Sequence, residues 1–165
     1  MSKTISIELT NQSINSAIKE IRKYSAWVQK KETELRIRLA QLGMEVASIK
    51  FTGAMYDGTN DVSVRVDNTG SVAVIYAEGK SVFFIEFGSG AKYGYGHPQA
   101  AKFGYGPGTW SDSEQGEGHW QDENGWYYAH GKRSHGNPPA MAMYGTFQKL
   151  TEELTQIAKE VFSEP

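Results

Sequence analysis

The feature that most constrains this chain is a regular spacing of apolar residues in its N-terminal third. From Ile14 to Val46, apolar side chains recur at alternating intervals of four and three residues, and only Ser25 and Glu32 interrupt the series. This period predicts one amphipathic helix of about 35 residues, or ~50 Å at ~1.5 Å per residue. A strict 3.5-residue period also favours packing against another helix.

The segments around this helix carry strand patterns. Alternating apolar residues over 4–9 predict a short strand, and Asn11 or Ser13 is then expected to cap the helix. Three further strands are predicted downstream, separated by turn-forming residues: 62–66, 72–76 and 82–87. These three are expected to form an antiparallel meander with one aliphatic face.

A second amphipathic helix is predicted at the C-terminus. Asn137-Pro138-Pro139 blocks a strand and leads into a helix. The apolar positions of this helix again alternate in steps of four and three: Met143, Phe147, Leu150, Leu154, Ile157 and Val161. The expected fold is α+β, a single domain over 1–165. An antiparallel sheet of three to five strands carries the long N-terminal helix and the C-terminal helix on one face.

Residues 91–136 read as a long insertion rich in glycine and aromatic residues. The stretch from Gly88 to Gly136 holds 12 of the 18 glycines, all four histidines and three of the four tryptophans. Asn124-Gly125 predicts a β-hairpin turn, with 119–120 on one arm and 126–128 on the other. Loops of this length are usually functional or mobile, so the insertion is expected to make contacts outside the scaffold.

Composition excludes several classes of protein. The net charge is -2 and the pI is about 6.1, which gives no reason to expect nucleic acid or an anionic membrane as the main partner. The absence of cysteine excludes disulfides and cysteine-based zinc sites. The N-terminus lacks the apolar core of a signal peptide, and no apolar run is long enough to span a bilayer.

No catalytic constellation stands out in the sequence, and no cofactor is predicted. The glycine-rich segments match neither a dinucleotide nor a Walker pattern, and no G-x-S-x-G elbow occurs. Glu86 is either an outward-facing side chain on its predicted strand or a buried carboxylate that fixes the glycine loop or pairs with a neighbour. Catalysis by Glu86 would need a second titratable group that the sequence does not identify.

Two other classes of site are possible in the insertion. A metal site could use the four histidines, but their spacing is not that of a helical pair: His97, His119, His130 and His135. A glycan-binding module could use Trp110, Trp120 and Trp126 as aromatic platforms, whereas the acidic residues beside them disfavour nucleic acid. Packing of these aromatic rings, within the insertion or on a neighbour, is the simpler interpretation.

Three short motifs, in their order and spacing, resemble a known family. They are Thr52-Gly53, Ile85-Glu86-Phe87-Gly88-Ser89-Gly90 and Pro139-Ala140-Met141-Ala142-Met143-Tyr144. The chain resembles the small morphogenesis proteins of long-tailed bacteriophages that the lambdoid tail-component family typifies. The insertion is similar to the form found in phages of Gram-positive hosts. One departure is Ala142, where the family often has a second proline.

The resemblance implies a non-enzymatic, structural virion protein that forms a homo-oligomeric ring, often six-fold. The ring would sit at the neck, between the head–tail connector and the tail, and act in head–tail joining or tail completion. A tail terminator ring that caps the tail tube is the alternative. The implied partners are further copies of the chain, the connector, and tail tube or terminator proteins. DNA could pass through the ring without sequence-specific binding, and no membrane is involved. The location would be the virion, and the host cytoplasm during assembly.

The residues expected at the contacts between subunits lie in three groups. The first two are the strand-to-loop corner and the entry to the final helix, and the third is the set of aromatic anchors in the insertion. Together they are Glu86, Phe87, Gly88, Ser89, Gly90, Trp110, Trp120, Trp126, Tyr127, Pro139, Met141, Met143 and Tyr144.

Overall fold

The computed structural model describes residues 10–56, 58, 60–94, 96–103, 124–127 and 133–163. The fold is α+β, as predicted, with a long N-terminal helix, a C-terminal helix and a two-stranded antiparallel sheet. The helices are α1 (Asn11–Thr52), α2 (Val82–Phe87), α3 (Gly90–Tyr93) and α4 (Ala142–Ser163), with a 3-10 turn at Ala101–Phe103. The strands are β1 (Ser63–Asp67), β2 (Val74–Glu78), β3 (Trp126–Tyr127) and β4 (Arg133–Ser134).

Helix α1 is longer than predicted, at 42 residues. Its N-cap is Thr10, whose hydroxyl accepts a hydrogen bond from the Ser13 amide at 3.2 Å. The predicted caps, Asn11 and Ser13, are therefore wrong, because both residues already lie inside the first turn. The helix ends at Gly53, whose amide donates to the Ile49 carbonyl at 3.0 Å.

Helices α1 and α4 pack against each other, and small residues line their contact. Ala40, Gly43 and Ala47 are buried on α1, and Ala142 and Thr146 are buried on α4. A Cβ at position 43 would collide with a side chain from β2 and lie 3.1 Å from a leucine of α4. The close approach of the three elements therefore depends on the absence of a side chain at this position.

The predicted apolar seam of α4 is wrong at Phe147 and Leu154. Phe147 is 65% exposed and Leu154 is 44% exposed, whereas Ala142 and Thr146 are buried beside them. The contact with α1 is offset by about one position because small residues, which apolar counting does not detect, bring the helices together. Val161, at the other end of the predicted seam, is fully buried.

The β1–β2 hairpin lies over the C-terminal end of α1. Its register pairs Ser63 with Glu78 and Asp67 with Val74. Its inner face packs on a core formed by residues from three helices, Ala47, Phe51, Ile85 and Ala142. The outer face is mixed: Val74 and Tyr76 are exposed there, beside an ion pair of 2.7 Å between Arg65 and Glu78. This inside–outside alternation is typical of a sheet covered on one face.

The predicted third strand of the meander is wrong, because residues 82–87 form helix α2. Val82, Ile85 and Glu86, at positions i, i+3 and i+4, face the core, which is helical and not strand-like spacing. Phe84, on another side of the helix, stacks on Tyr56 at 4.2 Å between ring centroids. A short apolar run does not distinguish a buried strand from a buried helix, and tertiary contacts decide here.

The other predicted strands are tested only in part. Strand β3 pairs with β4, with Trp126 opposite Ser134 and Tyr127 opposite Arg133. The predicted partner arm at 119–120 lies outside the described residues, as does the predicted strand at 4–9. Of the helices that the structure describes, none combines the length and the hydropathy that crossing a bilayer requires.

Asp61 ties the start of the hairpin to the start of α2. Its carboxylate accepts hydrogen bonds from the Lys80 amide at 2.7 Å and the Ser81 amide at 3.0 Å. The Ser81 hydroxyl, followed by these two amides, holds the pKa of the Asp61 carboxyl below its ordinary value of 3.8. The depressed pKa means that the ionised form stabilises the folded chain.

This contribution of Asp61 should depend on pH. A carboxyl with a depressed folded-state pKa stabilises the protein above the unfolded pKa, and the effect is lost as pH falls through the folded pKa. The urea midpoint of the wild type should therefore exceed that of Asp61→Asn by a constant amount above about pH 5. The difference should shrink progressively below about pH 4. A difference that grows on acidification would contradict this assignment.

Candidate functional site

The most unusual polar group in the described part of the chain is the buried carboxylate of Glu86. Only 5% of the residue is exposed, and it lies at the end of α2 beside the start of α4. One oxygen accepts from the Met143 amide at 2.8 Å, and the other accepts from the Tyr144 amide at 2.9 Å. Glu86 therefore caps α4 from 57 residues away in the sequence. We call the junction of 85–90 with 136–144 the Glu86 corner.

Helix α4 has no cap of its own at this end. The residue before Ala142 is Met141, which has a φ of +49° and no side-chain oxygen that could accept a hydrogen bond from the helix. The first four amides of any helix lack intrahelical partners, and the helix dipole places partial positive charge there. A carboxylate supplied by α2 satisfies two of these amides and matches the dipole. The negative charge of Glu86 thus has a structural use.

Backbone hydrogen bonds continue the corner on both sides of Glu86. The Ala140 amide donates to the Ile85 carbonyl at 2.7 Å, and the Met141 amide donates to the Glu86 carbonyl at 3.2 Å. Farther along, Ser89 and Asn137 exchange amide-to-carbonyl hydrogen bonds of 2.8 and 3.2 Å. The chain entering α4 therefore runs alongside the chain leaving α2 as a short ladder.

Gly88 allows the two segments to lie this close. Its φ is +77°, and a Cβ at this position would lie 2.8 Å from the Asn137 carbonyl and 2.9 Å from Pro139. Both the left-handed backbone and the lack of space favour glycine. The glycines that end the apolar run in the sequence therefore serve the contact with 136–139.

His97 closes the corner on its remaining side. Its Nε2 lies 3.3 Å from a Glu86 oxygen, and its Nδ1 accepts a hydrogen bond from the Gln99 amide at 3.0 Å. A nitrogen that accepts from an amide carries no proton, so this geometry assigns the proton to Nε2, which donates to Glu86. The imidazole ring packs edge-on against Phe87 and Tyr144, with centroids at 4.5 and 5.4 Å.

Hydrogen bonds within the corner engage both Glu86 oxygens and both His97 nitrogens. These hydrogen bonds fix the positions of α2, α4 and the start of the insertion relative to one another, and this is the chemical role that the arrangement supports. Among the described residues, no group of three or more His, Cys, Asp or Glu side chains is placed to bind a metal ion. His119 and His130, two members of the possible metal set, lie outside those residues.

The structure brings together two of the three groups of predicted contact residues. The segment from Glu86 to Gly90 is buried within the chain, and it contacts the segment 139–144 through the ladder and the cap. The outward-facing alternative for Glu86 is wrong, because its side chain points into the core side of α2. The role of both segments in contacts between subunits stays a prediction.

The aromatic group of predicted contact residues is placed only in part. Trp126 and Tyr127 lie on β3, and Trp110 and Trp120 lie outside the described residues.

The sequence did not predict that Gly136 and Asn137 lie against Ser89, or that His97 hydrogen-bonds to Glu86. The sequence named His97 only as a possible metal ligand, and no local pattern places residue 97 beside residue 86. A usable signal existed for 136–137, since a glycine before Asn-Pro-Pro indicates a left-handed turn into the final helix.

The chain matches no protein-family model, and no curated protein or solved structure is significantly similar to it.

Proposed function

We propose that this chain is a structural virion protein of a long-tailed bacteriophage. It forms a homo-oligomeric ring at the neck, between the head–tail connector and the tail, and acts in head–tail joining or tail completion. A tail terminator ring that caps the tail tube is the alternative, and it would use the same scaffold. The proposed role is non-enzymatic and needs no cofactor.

The observation that carries this proposal is that two of the motifs meet at the Glu86 corner and the third follows directly on a residue of the same core. Thr52-Gly53 ends α1 next to Phe51, and Phe51 shares the core with Ile85 and Ala142, which belong to the other two motifs. Short motifs that matched by chance would have no reason to meet in space. Their convergence supports a common structural origin with the proteins that they resemble.

A ring requires a heterologous interface, in which one surface of a subunit meets a different surface of the next. The exposed apolar side chains in the N-terminal part of α1 and the aromatic residues of the insertion are the proposed contacts, and they belong to different parts of the sequence. The proposal also includes the predicted sheet of three to five strands. To form this sheet, the strand predicted at 4–9 would have to pair with an edge of the β1–β2 hairpin. The proposed partners are further copies of this chain, the connector, and tail tube or terminator proteins.

The mass of the purified protein in solution tests the proposal. Light scattering should give a multiple of the 18.3 kDa chain, roughly 110 kDa for a hexamer, and electron micrographs of the same sample should show rings. If the protein alone is a monomer, assembly should occur on added connector. A chain that stays at the monomer mass at high concentration and with connector present would overturn the ring proposal.

A further inference from the structure

The N-terminal part of α1 presents apolar side chains beyond the reach of α4. The Phe162 ring, near the end of α4, contacts Trp27 edge-on at 5.9 Å between centroids. Toward the N-terminus from Trp27, four large apolar side chains are each 40–54% exposed: Ile14, Ile18, Ile21 and Tyr24. We call these four residues the α1 stripe. Ile14, Ile18 and Ile21 belong to the predicted apolar series and Tyr24 lies beside it, which makes the stripe a candidate contact surface.

The stripe lies in a segment of net positive charge. Residues 11–31 contain five Lys or Arg residues and one Glu, a net charge of +4. Arg22 follows Ile18 by one turn and therefore lies next to the stripe. Within the described part of the chain, Lys19, Arg22 and Lys30 have no carboxylate within 4.0 Å, whereas Lys23 pairs with Glu20 at 3.1 Å.

This charge disfavours pairing of the stripe with the same stripe of another copy. An antiparallel pair of α1 helices over residues 11–31 would bring two segments of charge +4 together, and like charges across an interface are repulsive. A symmetric pair would also close as a dimer and not as a ring. The occupant should therefore be a different surface that is both acidic and apolar.

Residues 104–123 of the same chain have this chemistry. The segment carries five acidic residues, Asp112, Glu114, Glu117, Asp122 and Glu123, and no Lys or Arg, a net charge of -5. It also contains Trp110 and Trp120, which are residue types that anchor interfaces. Its charge is opposite in sign to that of the stripe and similar in size.

The length of this segment indicates that the contact forms between copies. The two ends of this segment lie near the Glu86 corner. At one end, the Phe103 ring lies 6.2 Å from the Phe87 ring. At the other end, Asn124 leads into β3, which pairs with β4, and β4 ends two residues before Gly136. A segment of 20 residues held at both ends reaches about 35 Å when fully extended. Along α1, the stripe begins ~40 Å from Phe51 at Tyr24 and ends ~55 Å away at Ile14. A chain therefore does not reach its own stripe.

We propose that residues 104–123 of one copy dock on the α1 stripe of the next copy. This inference rests on the proposed ring and identifies the contact between its neighbouring subunits. The stripe lies near the N-terminal end of α1, whereas the described residues that flank the segment lie near the Glu86 corner, so the proposed interface is head-to-tail, as a closed ring requires. Charge complementarity would set the partner and the register, while the apolar stripe and the tryptophans would exclude water.

Charge reversal on each surface tests the proposal. Lys19→Glu/Arg22→Glu/Lys23→Glu changes the net charge of residues 11–31 from +4 to -2, and Asp112→Lys/Glu114→Lys/Glu117→Lys changes that of residues 104–123 from -5 to +1. Each variant alone should self-associate at least about tenfold more weakly than the wild type at ~50 mM salt. An equimolar mixture of the two variants should regain assembly, because each reversed surface then finds an opposite charge on the other variant.

The control carries the same charge change as the stripe variant at exposed positions outside the stripe, Lys80→Glu/Lys149→Glu/Lys159→Glu, and should assemble like the wild type. If both charge variants form rings as the wild type does, the docking contact is overturned and the ring proposal still holds. A mixture that fails to regain assembly would overturn it as well. A wild type that never assembles would overturn the ring proposal itself, together with the contact that rests on it.

Cross-linking gives a second readout that does not depend on ring formation. The chain has no cysteine, so single substitutions report one contact without background. Ile18→Cys mixed with Glu114→Cys should give a disulfide-linked pair under mild oxidation. Lys80→Cys mixed with Glu114→Cys should give much less. Equal yields in the two mixtures would contradict the proposed contact even if a charge variant failed to fold.

Discussion

Replacing Glu86 with alanine should lower the free energy of unfolding by about 3 kcal/mol. The substitution removes the acceptor for two amides at the start of α4 and leaves the Met143 and Tyr144 N–H groups, both partly buried, without these partners. A lost cap costs about 1 kcal/mol, and each buried unsatisfied donor adds about as much or more. Urea unfolding followed by far-UV circular dichroism would measure the change.

Two variants separate capping from a general effect of the charge. Glu86→Gln keeps one carbonyl acceptor but turns an amide NH₂ toward a donor, so its loss should lie between those of wild type and Glu86→Ala. Glu45→Ala, at an exposed position on α1, should change stability by less than about 0.5 kcal/mol. Equal effects of Glu86→Ala and Glu45→Ala would contradict the capping role.

The two long helices could be predicted because their apolar period persists over many turns. The four-three spacing between Ile14 and Val46 matches the period of a helix and not that of a strand, and the apolar positions of α4 follow the same rule. The face that each helix buries was harder to predict. Gly43, Ala47 and Thr146 lie at the contact, and residues this small contribute little to an apolar pattern.

Helix α2 shows where local sequence was insufficient. Five of its six residues are apolar, which fits a buried strand as well as a buried helix. The choice is made by groups distant in sequence: Asp61 holds the amides of Lys80 and Ser81, and Tyr56 stacks on Phe84. The local sequence pattern of residues 82–87 gives no indication of these contacts.

Both halves of the Glu86 corner could be named from sequence, but their contact could not. Residues 85–90 and 139–144 were singled out by resemblance, while 57 residues separate Glu86 from the Met143 amide that it binds. A pairing at this distance follows from how α2 and α4 share one core, which requires the fold. The place of Gly136 and Asn137 in the ladder was missed for the same reason.

Gly136→Ala should be more damaging than Glu86→Ala, with a loss of about 4 kcal/mol in the free energy of unfolding. Gly136 has a φ of +95°, which costs an L-residue about 1–2 kcal/mol. A Cβ here would overlap the Ser89 carbonyl and lie 3.1 Å from the Gly90 Cα. The backbone would have to separate, which breaks the two hydrogen bonds between Ser89 and Asn137.

Gly70→Ala is the matched control, because Gly70 has nearly the same φ, +92°, but nothing lies within 4 Å of its hypothetical Cβ. It should cost only the backbone term, about 1 kcal/mol. The difference between the two urea midpoints therefore isolates the close contact of 136 with 89 from the conformational preference of glycine. Since that contact aligns the entry of α4 with Glu86, Gly136→Ala should also weaken the cap. Similar midpoints for the two variants would mean that the ladder between α2 and α4 does not hold the corner together.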